Sequence, residues 1–404
     1  MALTAITGAR VFDGEKALGA RTVVVDGGRI RQVGGEAPDG ADVVDGRGAT
    51  LLPGLIDAHV HSAPGSLALA LRFGVTTELE MQGMNTRENR AHVTEDDSVA
   101  DVRSAGFAIT PPGGHPSELM PEGFRPAGTL PPVMPLMPFS TTPEEAVAFV
   151  PQLLARGSDY IKFMIDDGSV EGHPGLPMLD QATLTAGVAE AKKHGALTVA
   201  HALTLDATRM AAEAGVDGVV HVFMDRPHTP EIIDLVAEAE MFVVPCICLN
   251  ASMMGIGGGD LADDPRVAAR LDAKWEETLR ASYDRYPQGK LEDVRETVRA
   301  LAVAGVDLLA GTDASMAETF FGGLAHGASL HHELQHLVAA GLTPEQALRA
   351  ATATTARRFG LSDRGRIAEG LRADLLLVDG DPTANIGDTL NTRAIWRRGT
   401  RLAD

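Results

Sequence analysis

The feature that most constrains the fold is an alternation of short apolar runs with longer, Ala-rich amphipathic stretches through the middle of the chain. Eight of these runs have the length of a β-strand, and helix-forming stretches lie between them. They are residues 55–59, 75–80, 107–110, 160–165, 197–201, 218–222, 242–248 and 306–310. Because eight parallel strands close a barrel, the sequence predicts an α/β protein with a distorted (β/α)8 TIM barrel.

The two ends of the chain have a different pattern. Residues 1–53 contain short β-branched runs joined by Asp-Gly and Gly-Gly pairs, which are typical of hairpin turns. Residues 366–404 repeat this pattern, and neither end is long enough to enclose a core alone. We therefore expect a small β-sandwich domain formed from both termini and a barrel over 54–365. A long charged stretch predicts a helical insertion at about 250–304.

Charge and hydropathy exclude several classes of function. The chain has 35 Lys and Arg against 55 Asp and Glu, so its formal net charge is −20, which is the wrong sign for binding nucleic acid. The start of the chain lacks a signal-peptide pattern, and no apolar run approaches the roughly 18 residues of a membrane span. We therefore expect a cytoplasmic homo-oligomer that acts on a small molecule, without nucleic acid or membrane partners.

The strongest chemical signal is the pair His59 and His61, directly after an apolar run. Alternation along a strand puts both side chains on one face, at the end where barrel active sites form. Two such imidazoles can hold a metal such as Zn²⁺, although a bare H-x-H pair also occurs as ordinary hydrogen-bonded histidines. Later apolar runs end on or near further groups that can bind a metal or support its site, namely Lys162, His201, His221 and Asp313. Their repeated position favours the metal site over ordinary histidines.

The combination resembles the metal-dependent amidohydrolase superfamily over essentially the whole chain. The resemblance is carried by residues 52–61, by the single lysine and histidines at the strand ends, by Gly311-Thr312-Asp313, and by residues 365–375. The branch it resembles most contains imidazolonepropionase-like hydrolases and Xaa-Pro dipeptidases. The resemblance implies an amidohydrolase that cleaves an amide or cyclic amide C–N bond in a small or dipeptide-like substrate.

The same resemblance implies a centre with two divalent ions, most readily Zn²⁺. Its ligands would be His59, His61, Lys162, His201, His221 and Asp313. A buried Lys162 with a lowered pKa can capture CO₂ as a carbamate, whose two oxygens can bridge two cations. A metal-bridging hydroxide would attack the substrate carbonyl, and Asp313 would carry the proton to the leaving amine.

Substrate and reaction direction stay open at this point. Gly113-Gly114-His115 resembles a loop that lines the substrate cavity in the dipeptidase branch, so His115 is either a substrate contact or an ordinary loop residue. Dipeptide-cleaving relatives often carry a tyrosine two residues after the strand-five histidine, where this chain has Leu203. The same site could also close an imidazoline-type ring with loss of water, or the barrel could bind a ligand without catalysis.

A rival metal motif lies near the C-terminus. Residues 332–336 read His-Glu-Leu-Gln-His and fit the H-E-x-x-H pattern of zinc proteases. Leu334 falls on the apolar face of the expected helix, so we expect His332 and His336 on the opposite, wetter face and Glu333 to be solvated. Cys246 and Cys248 lie on one apolar run and are expected to be core residues on a strand, with a metal or redox role as the alternative.

Overall fold

The structure is a computed structural model that describes residues 3–63, 65–119 and 137–403. Its strands are β1 (Thr4–Phe12), β2 (Ala17–Asp26), β3 (Arg29–Val33), β4 (Asp42–Asp45), β5 (Ala49–Pro53), β6 (Leu55–Val60), β7 (Val75–Glu80), β8 (Asp101–Ser104), β9 (Ile161–Met164), β10 (Thr198–His201), β11 (Gly218–Val220), β12 (Phe242–Val244), β13 (Leu375–Asp379), β14 (Thr392–Arg397) and β15 (Thr400–Arg401).

Helices separate most of the strands in the middle of the chain, which makes the fold mixed α/β. They are α1 (Ser66–Arg72), α2 (Ala91–Glu95), α3 (Pro143–Ala155), α4 (Gln181–Lys193), α5 (Leu205–Ala214), α6 (Pro230–Glu238), α7 (Ile247–Met253), α8 (Gly259–Asp263), α9 (Pro265–Ala268), α10 (Ala273–Arg280), α11 (Leu291–Val303), α12 (Ala328–Ala339), α13 (Pro344–Ala350) and α14 (Ala353–Arg358). None of the helices in the described ranges is long and apolar enough to cross a membrane.

Strands from both ends of the chain form a single eight-stranded sheet. Its order is β15-β14-β13-β5-β1-β2-β3, and β4 pairs with β1. The ends are joined by antiparallel pairing of β13 with β5, in which Leu375 lies opposite Pro53. Buried side chains from both ends, including Val23, Leu51 and Trp396, share one apolar cluster.

The middle of the chain forms two parallel sheets, β6-β7-β8 and β12-β11-β10-β9. Single parallel bridges continue their strand order at Ile109–Phe163 and Val243–Leu308, without joining the ladders into one closed sheet. Because neighbouring strands run in the same direction, their carboxyl ends meet at one edge. This edge is where the predicted ligands lie.

Three of the predicted strands differ from the structure. Residues 107–110 and 306–310 contribute only single bridges, and a strand at Asp101–Ser104 takes a place in the sheet instead. That strand is short and polar, so a search for apolar runs does not find it. Asp101 is buried, and ion pairs with arginines compensate its charge. The predicted strand over 242–248 ends at Val244, because Pro245 lacks the N–H that would continue the ladder.

Candidate functional site

The six predicted metal ligands meet at the carboxyl edge of the parallel strands. The ring of His59, in β6, lies 5.3 Å from that of His61 and 4.8 Å from that of His221, measured between centroids. His201, at the end of β10, lies 4.7 Å from His221 on the same measure. Asp313 Oδ1 lies 3.1 Å from His59 Nε2 and 3.0 Å from His61 Nε2. Lys162, in β9, is fully buried and lines the same cavity.

Several of these side chains depend on an unusual backbone conformation. His221, Asp313 and the neighbouring Cys246 all have positive φ angles, of 68°, 65° and 52°. For residues other than glycine this region costs free energy, and such residues cluster at functional sites. His221 directly follows β11 and Cys246 lies two residues beyond β12, so the chain changes direction close to these strand ends.

Polar atoms at the centre of the cluster lack hydrogen-bond partners. These buried atoms are His59 Nε2, Lys162 Nζ, Asp313 Oδ1 and both ring nitrogens of His221. His59 Nε2 and Asp313 Oδ1 approach each other to 3.1 Å, but without the geometry of a hydrogen bond. A buried polar atom without a partner is costly, so a group of them pointing at one another requires an explanation. The donor set of imidazoles and a carboxylate suits a divalent ion such as Zn²⁺, and the ligand atoms of His59, His61 and Asp313 lie within 4.8 Å of one another. The residues present therefore fit a metal.

Burial changes the protonation of these groups in the direction that metal binding needs. It lowers the pKa of Lys162 to about 7 and that of His59 to about 3, and it takes those of His201 and His221 well below their ordinary value. Neutral imidazole is the form that binds metals. Burial opposes ionisation of Asp313, but the adjacent histidines hold its pKa well below the usual range.

His115 joins this site through a cluster of acidic side chains. Its Nδ1 lies 2.5 Å from Glu118 Oε1 and 2.6 Å from Glu171 Oε2, and its ring stacks on that of His201. Burial works against a charged imidazole, but Glu171 and Glu118 raise the pKa of His115 well above its ordinary value. His201 Nε2 in turn lies 3.2 Å from Asp166 Oδ2. Sequence reasoning missed Glu118, which is only three residues from His115, and Glu171, which is distant along the chain, because carboxylates outside the strands and α-helices carry no pattern that reveals their burial.

A cavity of about 270 Å³ opens onto these groups. It is lined by His61, His115 and Asp313, and by an apolar wall consisting of Phe107, Leu119, Met164, Leu249, Met253, Tyr283, Met316 and Phe321. Lys162 is the only Lys or Arg among the described lining residues. A larger surface depression of about 760 Å³, beside Arg72 and Asp272, contains none of the predicted ligands. The smaller cavity is therefore the one with the chemistry of an active site.

The structure corrects the expectation for the H-E-x-x-H helix. Glu333 is fully buried, and its carboxylate accepts hydrogen bonds from the backbone N–H groups of Ile247 (3.0 Å) and Cys248 (2.9 Å). His336 is only 8% exposed and His332 is half-buried. The expectation of a solvated face was wrong because α7 packs against this side of α12. A zinc-protease arrangement does not fit, since the carboxylate of Glu333 is engaged by backbone amides.

The cysteines are buried as expected but do not share a strand. Cys246 follows the end of β12, and its Sγ lies 3.6 Å from His59 Nδ1. Cys248 lies within α7 and faces α12, where its Sγ lies 3.5 Å from the Ser329 carbonyl oxygen. The two thiols therefore have different surroundings, one beside the predicted ligands and one between two helices.

Comparison with known proteins identifies the family of this chain. Residues 50–398 match the model of the amidohydrolase family. The chain belongs to the amidohydrolase family and is an enzyme, a hydrolase of carbon–nitrogen bonds.

Individual relatives match over nearly the whole chain. An imidazolonepropionase of Cereibacter sphaeroides is 27% identical over 425 residues, covering 97% of this chain and 94% of the relative. An allantoinase of Solibacter usitatus is 26% identical over 431 residues, covering 93% and 84%. The crystal structure of a Xaa-Pro dipeptidase with bound methionine superposes with a TM-score of 0.75 at 23% identity, covering 100% of both chains. This last likeness shows the fold alone.

Proposed function

We propose that this amidohydrolase hydrolyses an amide or cyclic amide bond of a small molecule at a centre of two divalent ions, most readily Zn²⁺. The observation that carries the proposal is the convergence of six ligand-type side chains, of which His59, Lys162, His221 and Asp313 have buried polar atoms without hydrogen-bond partners. His59, His61 and Asp313 would hold one ion, and His201 and His221 the other. Ions bound there would lower the pKa of a water molecule and polarise the substrate carbonyl.

Lys162 would connect the two halves of this centre as a carbamate. Its lowered pKa makes the neutral amine available near neutral pH, and that amine adds to CO₂ with release of one proton. The product carries two anionic oxygens, which an ammonium group cannot supply. The full burial of Lys162 without a hydrogen-bond partner for its Nζ supports this role.

Asp313 would move the proton that the reaction requires. It is ionised, so it can accept a proton from the attacking water and return it to the nitrogen of the leaving group. His115, which lines the same cavity, would contact the substrate, held in position by Glu118 and Glu171.

The cavity supports a substrate with an apolar, uncharged substituent. Its wall is largely aliphatic and aromatic, and His115, which also lines it, already faces two glutamates. Among the described residues, no arginine lines the cavity to pair with a carboxylate. We therefore expect neutral amides and ureas to be cleaved faster than dipeptides.

The fold that would hold this centre is the distorted (β/α)8 barrel over 54–365, with a small β domain from 1–53 and 366–404. The parallel bridges between the two central sheets support it, as does the pairing of β13 with β5. A homo-oligomer of this unit stays a prediction.

Metal removal and product analysis test the proposed reaction. The protein is incubated with a panel of neutral amides, ureas and dipeptides before and after chelation, and again after Zn²⁺ is restored. We expect products that gain one water, activity that disappears with chelation, and recovery with zinc. Products that lose water would favour ring closure, and turnover unaffected by complete metal removal would contradict the proposal.

Lys162→Ala tests the bridging role, with the exposed Lys192→Ala as its matched control. We expect the first variant to lose most bound metal and activity, with partial recovery in short carboxylates or bicarbonate. The control is expected to keep both. Full activity and full metal content in Lys162→Ala would limit this lysine to a structural role.

A further inference from the structure

A second group of metal-ligating side chains lies outside the active site. His332 and His336 are four residues apart on α12, so they lie on one face of the helix, with ring centroids 4.3 Å apart. Cys248 approaches them from α7. One ligand atom from each of the three residues lies within 4.8 Å of the other two. Two different helices therefore present a thiol and two imidazoles to a common point.

The hydrogen bonds around this point leave the ligand atoms available. His336 Nε2 is buried and has no hydrogen-bond partner. The Cys248 thiol donates a hydrogen bond to the Ser329 carbonyl oxygen at 3.5 Å, and this bond ends when the thiol loses its proton, which leaves the sulfur free to bind a metal. His332 is half-buried and so connects the cluster with solvent. An unpaired buried nitrogen beside a second imidazole and a thiol is unfavourable unless another group, such as a metal ion, bonds to it.

Glu333 distinguishes this cluster from a catalytic zinc site. A zinc protease needs the glutamate of H-E-x-x-H to face the reacting water. Here its two carboxylate oxygens accept hydrogen bonds from the N–H groups of Ile247 and Cys248. The glutamate attaches α12 to the start of α7, and the same two segments carry the three ligands. The cluster therefore has the features of a structural site.

We propose that Cys248, His332 and His336 form a structural Zn²⁺ site that joins α7 to α12. Thiolate and imidazole are the ligands that Zn²⁺ prefers, and a water molecule would be the fourth ligand on the half-buried side, at His332. On binding, the Cys248 thiol loses its proton to solvent and the sulfur binds the metal. Burial lowers the pKa of His332, while Asp260 raises it and Arg295 lowers it, so these two charged groups oppose each other. The thiolate of Cys248 would supply negative charge that compensates part of the charge of the metal ion.

Metal counting on the zinc-loaded full-length protein tests the site. We expect His332→Asn, His336→Asn and Cys248→Ser each to contain one zinc ion per chain fewer than the wild type. The exposed His194→Asn is the matched control and should bind as much zinc as the wild type. The readout is a difference between variants, so it does not depend on how many ions the active site holds. Equal zinc content in the wild type and His332→Asn would overturn the proposal.

Cobalt substitution identifies the ligand directly. A Co²⁺–thiolate bond gives a charge-transfer absorption in the near ultraviolet, which we expect in the wild type and in Cys246→Ser but not in Cys248→Ser. His332→Asn controls for loss of metal through misfolding, because the His332 side chain is half-buried and its replacement should leave the fold intact. The circular dichroism spectrum of this variant should match that of the wild type. A band that survives in Cys248→Ser, or disappears only in Cys246→Ser, would contradict the site.

Discussion

The imidazole rings of His115 and His201 are stacked, with centroids 4.3 Å apart and an angle of 23° between their planes. His201 is a proposed metal ligand and His115 belongs to the loop that borders the cavity. The side chain proposed to contact substrate therefore packs directly on the proposed metal centre. A substrate carbonyl at that centre would lie within reach of the His115 ring.

We predict that His115→Ala weakens substrate binding more than it slows the chemical step. The change removes a contact from the cavity wall but leaves every proposed metal ligand in place. The measurement is a comparison of KM and kcat with metal content, on the best substrate from the panel. His173→Ala, an exposed loop histidine, serves as the control. Unchanged KM and kcat would make His115 an ordinary loop residue.

Asp313→Asn is predicted to lower kcat by about 10²–10⁴-fold, with a much smaller change in KM, because proton transfer acts in the transition state. Asparagine is nearly isosteric, so the fold and much of the metal should survive. Metal content is measured on the same sample, which separates loss of a base from loss of a ligand. Retained kcat with both metals bound would limit Asp313 to ligation.

Glu333→Gln is predicted to destabilise the protein by about 1–3 kcal/mol, because glutamine has one acceptor oxygen where two backbone N–H groups need partners. Thermal and denaturant unfolding measure the loss. Gln335→Glu, a change of similar size on the same helix, is the control. A fall in kcat beyond about 100-fold with unchanged stability would instead favour a catalytic glutamate on α12.

Asp101→Asn is predicted to destabilise the protein by about 3–5 kcal/mol near neutral pH, because it leaves buried arginines without their counter-charge. Arg364 Nη1 lies 2.5 Å from Asp101 Oδ2, and Arg372 Nη1 lies 3.2 Å from it. Both Asp101 and Arg364 are almost fully buried. The exposed Asp45→Asn, whose partner Arg47 is on the surface, should unfold like the wild type.

The Asp101 effect should also depend on pH. Burial opposes its ionisation, but Arg364, Arg103 and Arg372 hold the pKa of Asp101 well below its usual range. A carboxyl whose pKa is lowered by folding stabilises the protein above its unfolded pKa of about 3.9, and that stability is lost as pH falls towards the folded value. The difference in unfolding free energy between the wild type and Asp101→Asn should therefore shrink below about pH 4. A difference that stays constant down to pH 2 would contradict this account.

Much of the candidate site was readable from the sequence because the predicted ligands lie on, or just beyond, the apolar runs that form or continue the parallel sheets. His59 lies in β6 and His61 directly follows this strand. Lys162 lies in β9, His201 ends β10 and His221 directly follows β11. Asp313 follows an apolar run that pairs only through a single bridge. Parallel strands bring such ends to one edge, so local spacing carries three-dimensional information. The acidic partners of His115 come from loops, where no periodicity relates position along the chain to position in space.

The sequence by itself determined the residue types of the proposed metal centre and the apolar runs that carry them, because alternation within a strand is a local property. Only the tertiary structure decided which polar side chains are buried. In the tertiary structure α7 packs on α12 and buries Glu333. The apolar stripe of α12 considered alone had predicted that Glu333 is solvated. The tertiary structure also placed Asp101 beside Arg364, about 260 residues away. Burial of a charge depends on partners from distant segments, and the local pattern of one segment does not contain them.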